Sequence, residues 1–259
     1  MSGIDSKVLR KAQLIMLDML LEFDAICNKH NLSYWLDSGT LLGAVRHKGF
    51  IPWDDDIDIS MPYEDYKKFQ EIAKQELSKD IFLQSKESDS AFLFDYTKLR
   101  SNRASIVEFH EKSAGVAYHQ GVFVDIFPML TVPNSDFYKD YYKNIFHLIR
   151  QTSAVSLHTP NGANLPDVRQ KLVQSLQLMH QGWESNENLV IYGGEMPDVA
   201  AYFEYKEIFP LSQVEFEGHK FSAPKNPHHY LGAIYSFNYM ELPPIDKRTI
   251  HAHKITLVE

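Results

Sequence analysis

The 259-residue sequence contains a single cysteine, Cys27, so no disulfide can form within the chain. A reducing compartment is therefore expected. No stretch approaches the roughly 18 uncharged apolar residues that a membrane-spanning helix needs. The first residues also lack the apolar segment of a secretory signal. These absences predict a cytoplasmic protein, although its substrate can still be bound to a membrane.

An excess of positive charge is absent too. Lys and Arg total 26, whereas Asp and Glu total 34, which gives a formal net charge of −8. Nonspecific binding to nucleic acid depends on clustered cations that neutralise phosphates, so no nucleic-acid partner is expected. A nucleotide is still compatible with an acidic chain, because a bound metal ion inverts the local charge.

The segments that are present alternate between helical and strand-like patterns, as in an α/β protein with a full core. Apolar residues at helical spacing predict a helix over residues 8–30. Thr40 to Arg46 is predicted to form a helical turn, and Pro62 is predicted to begin a helix that runs to about Leu77. β-Branched and aromatic residues predict strands at 34–36, 56–60, 81–84, 92–99, 104–107 and 122–127.

The second half of the chain is predicted to carry a helical insertion over about 134–190. Its helices are expected at 136–157 and from residue 166 to about 180. No repeat or low-complexity linker interrupts the pattern, so residues 1–259 are predicted to form one domain. The stretch after Arg248 is expected to be a short peripheral tail.

The acidic run Asp54-Asp55-Asp56-Ile57-Asp58 is the most informative segment. Alternate side chains of a strand share a face, so Asp56 and Asp58 are predicted to project together. Adjacent carboxylates repel one another, and a hard dication such as Mg²⁺ removes that repulsion. Asp54 has the same parity and is a further candidate ligand. The alternative is an ordinary solvated acidic turn.

A third acid, Asp125, lies inside the hydrophobic run 122–127. Burying a carboxylate without a partner is costly, so a metal or a buried basic group is implied. In a site with two metal ions, shared acids usually bridge the ions, so a third carboxylate is expected from a neighbouring strand. Asp56, Asp58 and Asp125 are therefore the predicted catalytic and metal-binding residues. Asp125 is a candidate to bind metal, to accept a hydroxyl proton, or to do both.

Small residues at a strand-to-helix turn and nearby cations are the candidates for holding phosphate. Backbone N–H groups at such a turn can point at an anion. The predicted phosphate-binding residues are Ser38, Gly39, Thr40, Arg46, Lys98 and Arg100. For each of the cations, the alternative is a solvent-facing side chain or a partner for Asp125.

The histidines show no zinc-binding spacing. Binding of Zn²⁺ by His228-His229 or His251-x-His253 is the alternative, but no His-Glu-x-x-His or paired-cysteine spacing supports it, so these histidines are interpreted as surface residues. His110 and His119 lie near the predicted strands and are candidates for touching substrate.

The motifs around the glycine turn and the acidic run resemble the LicD family, which includes phosphorylcholine transferases and fukutin-related proteins. Two blocks carry most of the resemblance, Ser38-Gly39-Thr40-Leu41-Leu42-Gly43-Ala44-Val45-Arg46 and Ile51-Pro52-Trp53-Asp54-Asp55-Asp56-Ile57-Asp58. The resemblance spans residues 30 to about 250. Shorter motifs continue it at 98–100, 124–128, 209–211, 224–227, 239–244 and 247–248.

The resemblance implies a nucleotidyltransferase-like fold, with a mixed sheet flanked by helices. It implies transfer of phosphocholine from CDP-choline to a sugar hydroxyl of a lipid-linked teichoic-acid or lipopolysaccharide precursor, with CMP leaving. The implied cofactor is Mg²⁺ or Mn²⁺. Asp56 and Asp58 match the family's metal ligands, and Asp125 matches its later strand acid. A lipid-linked acceptor would bring the enzyme to the inner face of the membrane.

Choline would need aromatic faces around its quaternary ammonium. The candidates are Trp35, Trp53, Tyr96, Trp183 and Tyr192, with core packing as the alternative for each.

Two other functions stay open. One is transfer of another CDP-linked group, ribitol phosphate or glycerol phosphate, to a glycan. The other is a catalytically silent scaffold, against which the three clustered acids argue. P-loop enzymes and dinucleotide oxidoreductases are not expected, because neither glycine-rich fingerprint occurs.

Overall fold

The computed structural model describes residues 4–92, 94–109, 111–112, 115–158, 165–180, 182, 187–193 and 201–258, with the side chains of 153–158 and 165–167 excepted. The helices in these ranges are α1 (Ser6–His30), α2 (Ser38–His47), α3 (Tyr63–Glu76), α4 (Asp136–His158), α5 (Leu165–Gln177), α6 (Tyr205–Ile208) and α7 (Pro227–Tyr235). The strands are β1 (Trp35–Leu36), β2 (Asp58–Pro62), β3 (Ile81–Gln84), β4 (Thr97–Glu108), β5 (Gly121–Pro133), β6 (Asn188–Tyr192), β7 (Tyr202–Glu204), β8 (Ser212–Phe216), β9 (His219–Ala223) and β10 (Ala252–Leu257).

One mixed sheet organises the molecule. Its strand order is β1-β2-β5-β4-β10, and β2 and β5 are its parallel pair. The long strand β5 pairs with β4 through its first half and with β6 through its second half, and β7 extends the sheet beyond β6. β8 and β9 form a separate hairpin. The predicted α/β class, with a mixed sheet, is confirmed.

Helix α1 covers the middle of this sheet, packing on β4, β5 and β10. Its apolar side chains at helical spacing, such as Met16, Leu20 and Phe23, are fully buried. The helix begins two residues before the predicted start, because the Asp5 carboxylate caps it by accepting the Lys7 N–H at 2.7 Å.

The middle strands differ from the prediction in two ways. The strands predicted at 92–99 and 104–107 are a single strand, β4, which begins only at Thr97. Phe92 and Tyr96 precede it and pack edge to face, so these aromatic residues form a core cluster and not a strand. The acidic strand begins at Asp58, which leaves Asp56 in the preceding loop. The predicted strand alternation therefore does not place Asp56 beside Asp58.

The prediction of a peripheral C-terminal tail is wrong. Strand β10 pairs antiparallel with β4 at the edge of the main sheet, and Ala252 is fully buried. Ile255 and Leu257 pack against the core. A register shift between Ala252 and Lys254 interrupts the alternation of this short strand, and such an interruption hides a strand from a pattern of period two.

The region of the predicted insertion contains α4 and α5, which pack against each other. Its last residues, 188–190, already belong to β6 and so to the main sheet. The single-domain organisation and the insertion stay predictions. None of the helices in the described ranges combines the length and apolar character that crossing a membrane requires.

A chain that ends at Arg248 tests the contribution of β10. Its loss exposes the β4 edge and the apolar surface of Ile106, and it removes the packing of Ile255 and Leu257 on the core. We therefore expect unfolding to become easier by about 3 kcal/mol. For a domain of this size the melting temperature should then fall by roughly 6–12 °C. Differential scanning fluorimetry measures this, with a chain ending at Leu257 as control. Equal melting of all three chains would support the peripheral tail.

Candidate functional site

The turn between β1 and α2 is built around a buried acid that the sequence analysis missed. The Asp37 carboxylate is fully buried and caps α2 by accepting the Ser38 N–H at 2.6 Å. It also accepts hydrogen bonds from the Ser60 hydroxyl and, at 3.0 Å, from the Tyr192 hydroxyl. These bonds hold Ser38, whose φ of +43° is uncommon for a residue with a side chain. An acid between an apolar strand and a glycine turn was the signal for this role.

The start of α2 is also joined to the start of the acidic strand. The Asp58 N–H donates to the Thr40 hydroxyl oxygen at 2.8 Å, and the Asp37 N–H donates to the Asp58 carbonyl at 3.0 Å. Because Asp37 takes the Ser38 N–H, the N–H groups of Gly39 and Thr40 are left at the positive end of the helix. Phosphate binding by Ser38, Gly39 and Thr40 stays a prediction.

Asp58 and Asp125 lie side by side on the parallel strands β2 and β5. Their Cα atoms are register partners, and the Asp125 N–H donates to the Ile57 carbonyl at 2.7 Å. Strands in a sheet lie about 4.8 Å apart and side chains in register share a face, so both carboxyl groups emerge together. Burial raises the pKa of Asp58 well above its usual range, and the charges of Asp56 and Asp125 raise it further.

Asp56 and Asp54 approach from the loop before β2. Burial raises the pKa of Asp56 to about 7, with Asp55 and Asp125 adding to the effect and His251 opposing it. Burial and the charge of Asp56 likewise raise the pKa of Asp54. A Cβ atom at Gly39 would lie 3.1 Å from Asp54 Oδ2, so this loop packs closely against the glycine turn. The turn, the loop and both strands thus converge on one acidic site.

Asp55 differs from its neighbours because it is a structural acid. It is 1% exposed and accepts the backbone N–H groups of His251, at 3.3 Å, and of Ala252. This carboxylate ties the acidic loop to the first residue of β10. The sequence offered no local signal for the contact, since it joins positions 197 residues apart.

His251 is brought to the acids by that contact, so this histidine lies at the surface, as predicted, and also contacts the acidic loop. Its side chain is 45% exposed, but its Nδ1 lies 3.3 Å from Asp55 Oδ1 and 3.5 Å from Asp56 Oδ2. The hydrogen bond to Asp55, together with the charges of Asp56 and Asp55, raises the pKa of His251 to about 10 against the opposing effect of burial.

Lys98 and Arg100 both have protein partners. Lys98 is buried, with Nζ 2.8 Å from Asp125 Oδ1 and 2.9 Å from Oδ2, so the alternative of a partner for Asp125 is the one observed. Arg100 is 1% exposed and donates to Gln84 Oε1 and the Gly121 carbonyl, both at 2.8 Å. Burial and these bonds give Arg100 a role in the fold, and the phosphate contacts of Lys98 and Arg100 stay predictions.

Arg46 and His119 also serve the fold. Arg46 donates to the carbonyls of Tyr239, at 2.8 Å, and of Glu241, at 3.3 Å, and thereby holds the segment after α7. Its phosphate contact stays a prediction. His119 accepts the Gly121 N–H at 3.0 Å through Nδ1, while Nε2 lies 2.9 Å from Asn102 Oδ1, so its ring is engaged within the fold. His110 lies outside the described residues.

The aromatic candidates for a choline pocket are mostly core residues. Trp35, Tyr96 and Tyr192 are buried. Trp53 is half-buried next to the acidic loop, and the Arg248 guanidinium carbon lies 4.1 Å from its ring centroid. A cation on that ring is an unfavourable neighbour for a second cation. Trp183 lies outside the described residues.

The site's donor set fits a hard divalent cation. Four half-buried or buried carboxylates, those of Asp54, Asp56, Asp58 and Asp125, converge there, and the pKa of each is raised. Asp125 Oδ1 is buried and makes no well-directed hydrogen bond, although Lys98 Nζ is close. Oxygen ligands with excess negative charge suit Mg²⁺ or Mn²⁺.

One group of three potential ligands in the described part of the chain has all its ligand atoms within 4.8 Å of one another. It consists of Asp55, Asp56 and His251. The predicted set Asp56, Asp58 and Asp125 is a looser arrangement, and its metal binding stays a prediction, as does that of Asp54.

The chain is similar in sequence to several known proteins. Residues 31–155 match the family model for the LicD/FKTN/FKRP nucleotidyltransferase domain. Lipopolysaccharide cholinephosphotransferase LicD of Haemophilus influenzae is 29% identical over 268 aligned positions, covering 94% of this chain and 95% of that protein. Human ribitol 5-phosphate transferase FKRP is 46% identical over 39 residues, or 15% of this chain and 8% of that protein. An uncharacterized protein of Rickettsia typhi is 44% identical over 69 residues, or 27% of this chain and 22% of that protein.

Replacing Asp56 by Asn tests how much the ionised Asp56 carboxylate destabilises the folded protein. The folded-state pKa of about 7 lies above the ordinary value of 3.8, so ionisation of Asp56 disfavours folding. The wild-type protein loses this contribution to stability as pH rises from about 4 to about 7. Without metal at pH 8, Asp56→Asn should therefore melt at least about 3 °C above the wild type. At pH 4 the difference should disappear.

Melting curves with a chelator at both pH values measure this effect. Asp140→Asn, which alters an exposed acid on α4, is the matched control and should change neither curve. A variant that is less stable than the wild type at pH 8 would show that Asp56 contributes more through its contacts than it costs through repulsion.

Proposed function

Since the chain belongs to the LicD family, we propose that it is a metal-dependent transferase of phosphocholine from CDP-choline to a sugar hydroxyl. The acceptor we propose is a lipid-linked teichoic-acid or lipopolysaccharide precursor. The observation that carries the proposal is the pairing of Asp58 with Asp125 on β2 and β5. Asp58 also bonds to Thr40 at the start of α2, and the charge of Asp56 acts on it. The likeness to a cholinephosphotransferase along nearly the whole chain favours choline.

Asp56, Asp58 and Asp125 are the residues that would hold Mg²⁺ or Mn²⁺, with Asp54 as a further candidate. When bound, the ion would supply charge neutralisation at the phosphate oxygens of the donor. The N–H groups of Gly39 and Thr40, at the positive end of α2, would bind a phosphate oxygen in the same region.

In the proposed reaction the acceptor oxygen attacks the phosphorus that carries choline. A new bond forms between that oxygen and phosphorus, the bond between phosphorus and the bridging oxygen breaks, and CMP leaves with that oxygen. The hydroxyl proton passes to the Asp125 carboxylate, which burial makes a better base while Lys98 opposes that effect. Lys98 also orients this carboxylate, because its Nζ contacts both oxygens.

A lipid-linked acceptor would place the enzyme at the inner face of the membrane during the reaction, as a peripheral protein. A second donor class has some support, because the short match to ribitol 5-phosphate transferase covers 39 residues. CDP-ribitol and CDP-glycerol are therefore the alternative donors. The remaining alternative is a silent scaffold, which would need neither metal nor donor.

The test is CMP release from CDP-choline with Mg²⁺ and an extract of lipid-linked glycans, with mass spectrometry of the acceptor. Asp58→Asn and Asp125→Asn should each lower kcat at least about 100-fold, equivalent to about 2.7 kcal/mol of transition-state stabilisation. Asp140→Asn, on the surface of α4, is the matched control and should retain full activity.

The other outcomes separate the alternatives. Release of CMP only from CDP-ribitol or CDP-glycerol would keep the transferase and replace choline. Failure of every donor, combined with no binding of Mg²⁺ or Mn²⁺, would favour the scaffold.

A further inference from the structure

The first residue before β10 is held at the acidic site by its backbone on both sides. The His251 N–H donates to Asp55 Oδ1 at 3.3 Å, and the His251 carbonyl accepts the Phe109 N–H at 2.8 Å. The next residue, Ala252, donates its N–H to the same Asp55 carboxylate and is the register partner of Glu108 on β4. Three backbone hydrogen bonds therefore determine where the imidazole ring emerges.

The ring emerges against the proposed metal ligands. Its Nδ1 lies 3.5 Å from Asp56 Oδ2. Two ligand atoms bound to one ion at right angles, with bonds of about 2.1 Å, lie roughly 3 Å apart. A small rotation of either side chain would bring the two atoms to that separation. The side chain is also 45% exposed, so an ion can reach it from solvent.

Asp55 and Asp56 play different parts in this arrangement. Both Asp55 oxygens accept backbone N–H groups, one from His251 and one from Ala252. Asp56 is partly exposed, and its Oδ2 faces the ring of His251 at 3.5 Å. Asp55 thus fixes the position of the histidine through the histidine's backbone, and Asp55 Oδ1 also lies 3.3 Å from His251 Nδ1.

We propose that His251 supplies a nitrogen ligand to the divalent cation held at Asp56, with Asp55 as its positioning residue. This inference rests on the proposed metal-dependent function. It adds the C-terminal strand to the metal site and makes the ligand set mixed, with nitrogen beside the carboxylate oxygens. Imidazole favours Mn²⁺ over Mg²⁺, so the site should select Mn²⁺ when both are present.

The consequence for binding is measurable without any substrate. Removing the ring should weaken Mn²⁺ binding roughly 10-fold or more and leave Mg²⁺ binding nearly unchanged, because Mg²⁺ gains little from an imidazole nitrogen. Asp55→Asn should lower Mn²⁺ affinity in the same direction, through loss of the orientation of His251. A histidine that only forms an ion pair with the acids would not produce this difference between metals.

The decisive experiment is electron spin echo envelope modulation of the full chain loaded with Mn²⁺. A coordinated imidazole gives a ¹⁴N modulation, which ¹⁵N labelling of histidine should convert to the ¹⁵N pattern. We expect this signal in the wild-type protein and its loss in His251→Gln and His251→Ala. His253→Gln is the matched control, since His253 lies two residues further along β10 and its ring packs 5.4 Å from that of Phe109.

A wild-type protein that binds Mn²⁺ without ¹⁴N modulation would overturn the inference and leave the proposed function standing. Modulation that persists in both folded His251 variants would also overturn it. If the wild-type protein binds no more Mn²⁺ than the Asp58→Asn variant does, the metal-dependent function fails together with the inference. Circular dichroism and melting curves establish that each variant is folded.

Discussion

Repulsion among carboxylates at the start of β2 is the constraint on which the rest of the structure depends. Asp54, Asp56, Asp58 and Asp125 are held close together in a partly buried environment. Burial and mutual repulsion raise the pKa of these acids, because ionising them there costs free energy. Such an arrangement persists only if surrounding elements fix it. The cap of α2, the parallel pairing of β2 with β5 and the buried lysine beside Asp125 all meet that requirement. The strain is concentrated where a cation would relieve it.

Two fully buried acids of this region hold neighbouring elements together. Asp37 and Asp55 accept several hydrogen bonds each, so directed donors offset part of the cost of their burial. Asp37 joins the glycine turn to β2 and to Tyr192 on β6. Asp55 joins the acidic loop to β10. These acids are a frame around the carboxylates that face the site, and a run of neighbouring aspartates thus divides into structural and functional members.

Much of this could be predicted from sequence, and the failures have physical causes. Helix α1 and the buried position of Asp125 follow from apolar periodicity, which is a local property. The burial of Arg100 and the contact of His251 with the acids depend on which strands pair. The sequence of a single strand does not determine its partner. The alternation argument for Asp56 failed because the strand begins two residues later, at Asp58. The sequence therefore identified the acids of the site, whereas the pairing of the strands determines which side chains lie next to one another.

The pairing of β10 with β4 has a consequence for the timing of synthesis. The Asp55 carboxylate is made 197 residues before the Ala252 N–H that it binds. At a translation rate of about 5–20 residues per second, this separation corresponds to roughly 10–40 s. During that interval the acidic loop on the ribosome lacks the strand that fixes it, and the β4 edge is open to other chains. The acidic loop of a nascent chain is therefore completed only when translation has passed β10.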